Sequence, residues 1–487
     1  MEIDHPTDDP TLPSYHHPTL RAVEPQLRKA YHVWTGLTGE DGNGKPIKEA
    51  YLPKEPREPL DAYEARLKRS VFCHFLPEAI VGLAGVLNSF TLASPPKSME
   101  ARLQNIDGKG NSLKTWLLDA NSLMLRDGAL CIQVEMPPNE ARNNKDVLDN
   151  GIAPYLVKRE RSKVINWRFH EDGKLDWVIF LEAAQEPDGS KYGVKIVYQY
   201  RVVGRGYQQV LQLKRDKSGK FTVVEQPKIE ILNSKREPAD RVPVVWYPSK
   251  EADFGEGELP LQQAIDLSVA YFQKLSDLWE KDHACNVIIP VIAGQLPPAP
   301  GQEHNELVIG NNSAIFLENG GTFNLATADP GSMAESRAQI QDIERMIATQ
   351  ALNFRYGDPD NTKTATQAGM EGAQTESKLR DSADRMASMM QEVMAIWCMF
   401  TGETLQPDAG LSMAPSVFER PLDAQGIAQL QRLTGDGQLL SSLTAITELS
   451  RRGIYPALDK PEDEVTRINE EQAAASDVGV SDELLLQ

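Results

Sequence analysis

Apolar residues recur along this chain in several rhythms, and each change of rhythm marks a change of structure. Residues 1–59 are rich in proline and short of apolar runs, which predicts an extended arm broken by a short helix near Leu20–Trp34. The stretch from Gly36 to Pro59 reads as loop. From Leu60 the rhythm is helical: Asp61 is a candidate N-cap, and Tyr63, Leu67, Val71 and His74 share a face. Pro77 is placed to open a second helix running to Ser89, with Gly82 and Gly85 implying tight packing against another backbone. Leu113–Arg126 predicts a third helix, followed by Gly128, a strand over Ala129–Met136 and a loop to Gly151.

Residues 152–248 change to period two. Short β-prone runs at Tyr155–Lys158, Val164–Phe169, Trp177–Glu182, Val194–Val203, Gln208–Arg215 and Phe221–Glu225 are separated by Gly-containing turns, which predicts an antiparallel meander. Pro260 then opens a long helix to Ala284, striped by Leu261, Ile265, Phe272, Leu275 and Trp279 and roughly 35 Å long at 1.5 Å per residue. A small β module follows, with strands at Val287–Ala293, Ala314–Glu318 and Thr322–Ala326 around a Pro-rich loop at Leu296–Pro300. The second long helix is expected over Ser332–Phe354, with Ile340, Ile343, Ile347 and Phe354 on one face. Gly357, Pro359 and Asn361 then make a loop, and helix resumes over Ala365–Phe400. Its second half carries a stripe from Leu379 through Ala383, Met386, Met390, Val393 and Trp397 to Phe400, read as core. Beyond it lie a β-prone piece at Ser416–Phe418, helices at Ala424–Leu433 and Leu439–Arg452, and an acidic end from Pro461 that loses its pattern after Asn469. The fold class is α+β.

Composition narrows the function. A chain of 487 residues predicts two to four domains, and 40% hydrophobic content is enough for a core in each. No apolar run approaches the roughly 20 residues of a membrane span, so no membrane partner is expected. The N-terminal MEIDHPTDDP lacks the basic and apolar regions of a signal peptide, so the chain is expected to stay where it is made. Cys73, Cys131, Cys285 and Cys398 are far apart and read as reduced, buried thiols, and the histidines are scattered, so no metal or other cofactor is expected. The net charge is −19. Such a chain repels DNA overall, so any DNA contact must come through local basic groups or as a wall that DNA slides past. Acidity also serves solubility alone.

Two motifs fail on inspection. Gly39–Lys45 approaches a phosphate-binding loop, but Pro46 stands where Ser or Thr must bind magnesium, and no strand precedes it. Asp253-Phe254-Gly255 lacks every companion motif of a kinase and reads as a turn. With no GxSxG or HExxH either, no catalytic residue is named and no enzyme is expected. Arg355 and Lys363 at the hinge loop, with Lys378, Arg380 and Arg385 beyond it, fit either ion-pair partners on a helix surface or phosphate contacts in a channel.

The order of segments resembles the portal proteins of tailed bacteriophages, over about residues 20–405. RLKRSVFCHFLPEAIVGLAGVLNSF is similar to the family's helical lead-in, although Leu87-Asn88-Ser89-Phe90 departs from its usual Arg-Lys-Pro-type end. LMLRDGALCIQVEMPP and APYLVKRERSKVINWRF resemble its wing strands, and FGEGELPLQQAIDLSVAYFQKLSDLWEKDHACNVIIPVIAG its descending stem helix. TKTATQAGMEG is similar to the start of its long helix, with Gln367 where Glu is common.

The resemblance implies a portal fold: arm 1–59, wing 60–256, stem helix 257–284, clip 285–331, stem helix 332–354, tunnel loop 355–365, wing-to-crown helix 366–405 and helical crown with acidic tail 406–487. It implies a ring of twelve subunits at one capsid vertex of the virion, assembled in the bacterial host cytoplasm. Its partners would be the major capsid protein, the large terminase, a head-to-tail adaptor and double-stranded DNA passing without sequence specificity. The residues expected to face DNA are Arg355, Tyr356, Gly357, Asp358, Asp360, Asn361 and Lys363, with Lys363 making a weak phosphate contact. Phe272, Trp279, Ile340, Ile343 and Ile347 are expected to pack the stem, mainly against neighbouring subunits. Another structural head or tail adaptor, or a packaging-associated nuclease or ATPase, are the rival readings.

Overall fold

A computed structural model describes residues 5–137, 153–286, 289–293, 322–326, 331–348, 365–413, 441–451, 462 and 464–468. The first elements are α1 (Pro18–Trp34), a 3₁₀ turn (Ile47–Tyr51), α2 (Leu60–Arg69), α3 (Phe75–Leu87), β1 (Phe90–Ala93), α4 (Lys97–Glu100) and α5 (Leu113–Asp127). Strands then dominate: β2 (Ala129–Glu135), β3 (Tyr155–Glu160), β4 (Val164–Phe169), β5 (Leu175–Pro187), β6 (Val194–Gly204), β7 (Tyr207–Arg215), β8 (Phe221–Glu225), β9 (Ile229–Glu230) and β10 (Val244–Pro248). Long helices return with α6 (Gln262–Asn286), β11 (Ile289–Ala293), β12 (Thr322–Ala326), α7 (Gly331–Ile347), α8 (Ala365–Thr401), β13 (Gly410–Met413) and α9 (Ser442–Arg451). The chain divides into two compact units: residues 1–7, 21–80 and 259–361 form the first, and residues 8–20, 81–258 and 362–487 the second.

The first unit is built on α6. Ile265, Val269 and Phe272 are buried along one face of that helix, together with Leu27, Ala30 and Val33 of α1 and Leu67 of α2. Phe72 meets Phe272 edge-on at 5.7 Å, and Phe75 meets Tyr271 at 5.1 Å. Two serines share the buried face, Ser268 and Ser276. Ser268 Oγ donates to the Ala264 carbonyl at 2.7 Å, and Ser276 Oγ hydrogen-bonds with Ser70 Oγ at 2.8 Å. Each hydroxyl therefore keeps a partner, which is what makes its burial affordable. The stripe expected from sequence is rotated accordingly: Leu261, Ile265 and Phe272 are buried, whereas Leu275 and Trp279 are half-buried.

The loop before α2 is fastened by a charge pair. Arg66 donates from Nε and Nη2 to the two Glu58 carboxylate oxygens, both at 2.8 Å, and from Nη2 to the Pro53 carbonyl at 3.1 Å. Only 7% of the Arg66 side chain and 13% of the Glu58 side chain are exposed. These hydrogen bonds hold the Glu58 carboxyl below its ordinary value of 4.5. Helix α2 stops at Arg69, earlier than the run to His74 expected from sequence, and Val71 is left exposed. Ser70 turns extended there (ψ 124°), with its hydroxyl donating back to the Arg66 carbonyl at 2.8 Å. The close packing expected of Gly82 and Gly85 is not seen: a Cβ at either would meet nothing within 4 Å.

In the second unit α5 is the best-defined helix. Ser112 Oγ accepts from the Thr115 amide at 3.2 Å as N-cap, and Gly128 closes the helix in the left-handed conformation (φ 76°). Trp116, Leu117, Ala120 and Met124 are buried. Asn121 is buried among them and satisfied at both ends, accepting from Tyr247 Oη at 2.9 Å and donating to Met386 Sδ at 3.4 Å. One residue thus ties α5 to β10 and α8.

Among the described residues, three antiparallel sheets complete this unit. The expected single meander divides: β3 pairs with β2 in the sheet β10-β2-β3, while β4-β5-β6-β7-β8, with β9 on β7, forms a larger one. The cause is a 3₁₀ turn at Arg161–Lys163 that redirects the chain between β3 and β4. The third sheet joins β1 to β13, from Phe90↔Met413 to Ala93↔Gly410. The β-prone piece at Ser416–Phe418 and the helix at Ala424–Leu433 lie outside the described residues.

The Glu58–Arg66 pair generates a pH-dependent expectation. Because the folded carboxyl is held below 4.5, its stabilisation is fully present above that pH and is lost as pH falls through the folded value. Glu58→Ala strands a buried guanidinium and should cost roughly 3 kcal/mol at neutral pH. Urea midpoints of the two proteins should converge in acid; a gap unchanged near about pH 2 would refute the assignment.

Candidate functional site

Helices α6 and α7 form an antiparallel pair. Tyr271 Oη donates to Glu344 Oε1 at 2.6 Å, and Lys281 Nζ donates to Ser336 Oγ at 3.0 Å, so positions rise along α6 as they fall along α7. At 1.5 Å per residue the 25 residues of α6 span about 37 Å and the 17 of α7 about 25 Å. At their shared end β11 and β12 pair from Ile289↔Ala326 to Ala293↔Thr322. The result is a helical hairpin carrying a β-hairpin at its tip. Strand β11 starts at Ile289, two residues after the start expected at Val287, and Ala314–Glu318 lies outside the described residues.

The pair has a dry side and a wet side. Phe272, Ile340 and Ile347 are buried within this unit, so their packing is intramolecular. Trp279 and Ile343 keep part of their surface. Glu335, Arg337, Gln339, Gln341, Asp342 and Arg345 are exposed along α7. Arg345 Nη1 lies 3.2 Å from Asp342 Oδ1. Such an exposed i,i+3 pair is worth only a few tenths of a kcal/mol, so it shapes charge more than stability. Over the pair, seven acidic groups face four basic ones, a mixed and slightly negative balance. Tyr271 differs: burial and the Glu344 carboxylate both push its phenol up, so it stays a hydrogen-bond donor.

A hollow of about 890 Å³ opens beside the pair, between the 55–66 segment and residues 274–281 and 335–339. Its wall alternates Arg57, Lys274 and Lys281 with Glu55, Asp277 and Glu335. Among the described residues no group of three or more His, Cys, Asp or Glu is placed to hold a metal ion. No helix among them is long and apolar enough to cross a membrane.

Helix α8 runs 37 residues. The side chains of its first part, through Leu379, lie outside the described residues. Its second half buries Ala383, Met386, Met390, Val393 and Trp397, as the stripe predicted. Trp397 also donates from Nε1 to Ser98 Oγ at 3.0 Å. Arg385 donates to Glu251 Oε2 at 3.1 Å and approaches Asp381 at 3.7 Å, which places it among helix-surface ion pairs. Arg380 is exposed. Arg355, Tyr356, Gly357, Asp358, Asp360, Asn361 and Lys363 all lie outside the described residues.

One cluster went unread in the sequence. Arg126 donates to both Asp127 carboxylate oxygens at 2.7 Å and to Glu160 Oε2 at 2.6 Å. Arg161, 2% exposed, donates to the carbonyls of Asp127 at 3.1 Å and Gly257 at 2.8 Å. Burial opposes the Arg126 charge, but the two carboxylates more than offset it and hold its pKa above the ordinary value. In the same region Glu182 accepts from Arg201 Nε at 2.7 Å and pairs with Arg159 Nη1 at 2.6 Å. The run Lys158-Arg159-Glu160-Arg161 therefore contributes internal ties, not a basic surface. The available signal was the Glu inside the run, but its partner Arg126 sits at the end of α5, over thirty residues earlier.

Comparisons with known proteins add the following. Residues 260–401 match a family described as a domain of unknown function, DUF4055. No curated protein matches. Among solved structures, the chain is similar to one in the virion of a native gene transfer agent particle, with 14% identity over 76% of this chain and 88% of that one, at a TM-score of 0.39. It is also similar to one in the neck of an empty gene transfer agent particle computed with C6 symmetry, with 13% identity over 77% and 88% and a TM-score of 0.40. A third, in the neck of the native particle computed with C12 symmetry, gives 14%, 76%, 88% and 0.39. Likeness at this level does not by itself assign this chain a fold or a role.

The α6–α7 pairing can be tested by substitution. Tyr271→Phe deletes the donor to Glu344 and should cost about 1 kcal/mol, seen as a lower denaturant midpoint. Glu344→Gln should cost a similar amount, and the double variant less than the sum. Strict additivity would show that the two side chains do not interact.

Proposed function

We propose that this chain is a ring-forming structural subunit of the neck of a tailed-phage-like particle, and specifically its portal. The observation that carries the reading is the antiparallel α6–α7 pair with a β-hairpin at its tip and a polar side of mixed charge. Copies set side by side through the partly exposed Trp279 and Ile343 edges would form a tube of helices. Two of the gene transfer agent chains named above come from the neck of that particle, although the proposal does not rest on that likeness.

The physics suits passage more than capture. Each phosphate gripped by Lys or Arg releases counterions and adds salt-dependent affinity, which would stall a moving duplex. A helix pair whose seven carboxylates outnumber its four basic groups, in a chain of net charge −19, holds DNA weakly. Contact would fall to the Gly/Pro/Asn segment 355–365, with Lys363 touching phosphate among Asp358, Asp360 and Asn361. On this reading a twelve-fold ring sits at one capsid vertex, residues 285–331 dock the large terminase and later an adaptor, and the second unit meets the major capsid protein. The role is mechanical, not enzymatic. Magnesium-dependent turnover by the pure protein would favour a packaging nuclease or ATPase instead.

Negative-stain images of the purified protein should show rings with a central hole, and a monomer or filament at every concentration would reject the proposal. Ile343→Asp should leave the chain folded and abolish rings, because Ile343 keeps part of its surface. Ile340→Asp, at a residue 7% exposed, should unfold the first unit instead. Intact rings from Ile343→Asp would place the subunit contact elsewhere. Particles carrying Lys363→Glu should package or retain DNA poorly, and normal particles would remove Lys363 from the mechanism.

A further inference from the structure

Strands β6 to β8 carry charge opposite to the rest of the chain. Residues 191–228 hold nine Lys and Arg against two Asp and Glu, a net of +7 within a chain of −19. Arg201 and Arg205 are committed to Glu182 and Asp172. Lys191, Lys195, Lys214, Lys217, Lys220 and Lys228 are exposed.

The same strands present an apolar row. The register sets Ala183↔Tyr198, Gln185↔Ile196 and Pro187↔Val194 on one side, and Tyr200↔Leu211 and Leu213↔Val223 on the other. Directly opposed residues share a face, and side chains repeat every second position. Tyr200, Tyr198, Ile196 and Val194 therefore line one face of β6, with Leu213 and Val223 on the same face of its neighbours. Exposure climbs along that face, from 2% at Tyr200 and 8% at Leu213 to 52% at Ile196 and 59% at Val194. Strand β8 ends the order β4-β5-β6-β7-β8, so its outer edge has no strand partner among the described residues. An exposed edge beside a bare apolar face is a template for strand addition.

We propose that the occupant is the chain's own acidic C-terminal segment, residues 470–487, added as an extended strand along β8. That segment holds Glu470, Glu471, Asp477, Asp482 and Glu483 and no Lys or Arg. Val478, Val480, Leu484 and Leu486 fall at even spacing, so an extended chain sets them all on one side with Asp482 between. Its apolar side chains meet Val223 on β8 while its carboxylates meet the lysines around it. Duplex DNA would match the charge but would leave Val223 wet and the β8 edge without a strand partner, which favours a polypeptide. The inference is independent of the portal reading.

Hydrogen exchange at the Phe221–Glu225 amides tests it, comparing the full chain with one ending at Asn469. Exchange should be slow in the full chain, fast in the shortened one, and slow again when a synthetic peptide of residues 470–487 is added. The same peptide with Val480→Asp and Leu484→Asp should fail to restore protection. Lys217→Glu with Lys220→Glu, both in an exposed turn, should weaken peptide binding without unfolding the sheet. Equal exchange in the full and shortened chains would overturn the proposal. So would protection that grows with protein concentration, which points to a second copy, or protection by a short DNA duplex but not by the peptide.

Discussion

Everything in the first unit depends on covering one face of α6. The helix has a single buried stripe, centred on Phe272, and part of that stripe is serine. A face so thin in hydrocarbon cannot hold several elements by area alone at about 25 cal/mol per Å². Specific ties supply the remainder: Ser70 to Ser276, Gln273 to the Tyr51 carbonyl at 2.9 Å, Lys29 to Asp266 and Tyr271 to Glu344. Each is modest, but together they set how the two long helices cross the unit and so where the β-hairpin at their tip points.

The second unit solves the same problem with bulk. Trp116, Trp397, Tyr247 and Phe180 are essentially inaccessible, and Asn121 is admitted among them because Tyr247 and Met386 satisfy it. Charge is treated likewise. Arg126, Arg159, Arg161 and Arg201 face inward onto carboxylates or carbonyls, while exposed lysines gather at the far end of the large sheet. The negative total of the chain thus hides a strong local asymmetry.

Periodicity revealed the long helices because a stripe such as Met386 to Trp397 is local in sequence. It revealed most strands for the same reason. It missed β1 and β10, since Phe90–Ala93 and Val244–Pro248 gain their meaning only from partners at Gly410–Met413 and Ala129–Gln133. Strand β5 runs on to Pro187, past the end expected at Glu182, because a polar alternation there still pairs with β6. Of the candidate site, the helices and their polar sides were legible. Which isoleucine is buried at home and which keeps a free edge was not, because that depends on a helix that sits some seventy residues away.

Met386, Met389, Met390 and Met394 lie together on α8, each at most 3% exposed. Thioethers oxidise to polar sulfoxides when an oxidant reaches them, and a sulfoxide cannot repack in that space. In the closed structure the reagent has no access. The rate at which these four methionines gain oxygen therefore measures how often α8 lifts from its bed. In an ageing sample that would act as a slow chemical clock, recording the openings of a helix whose fold otherwise leaves no trace of them.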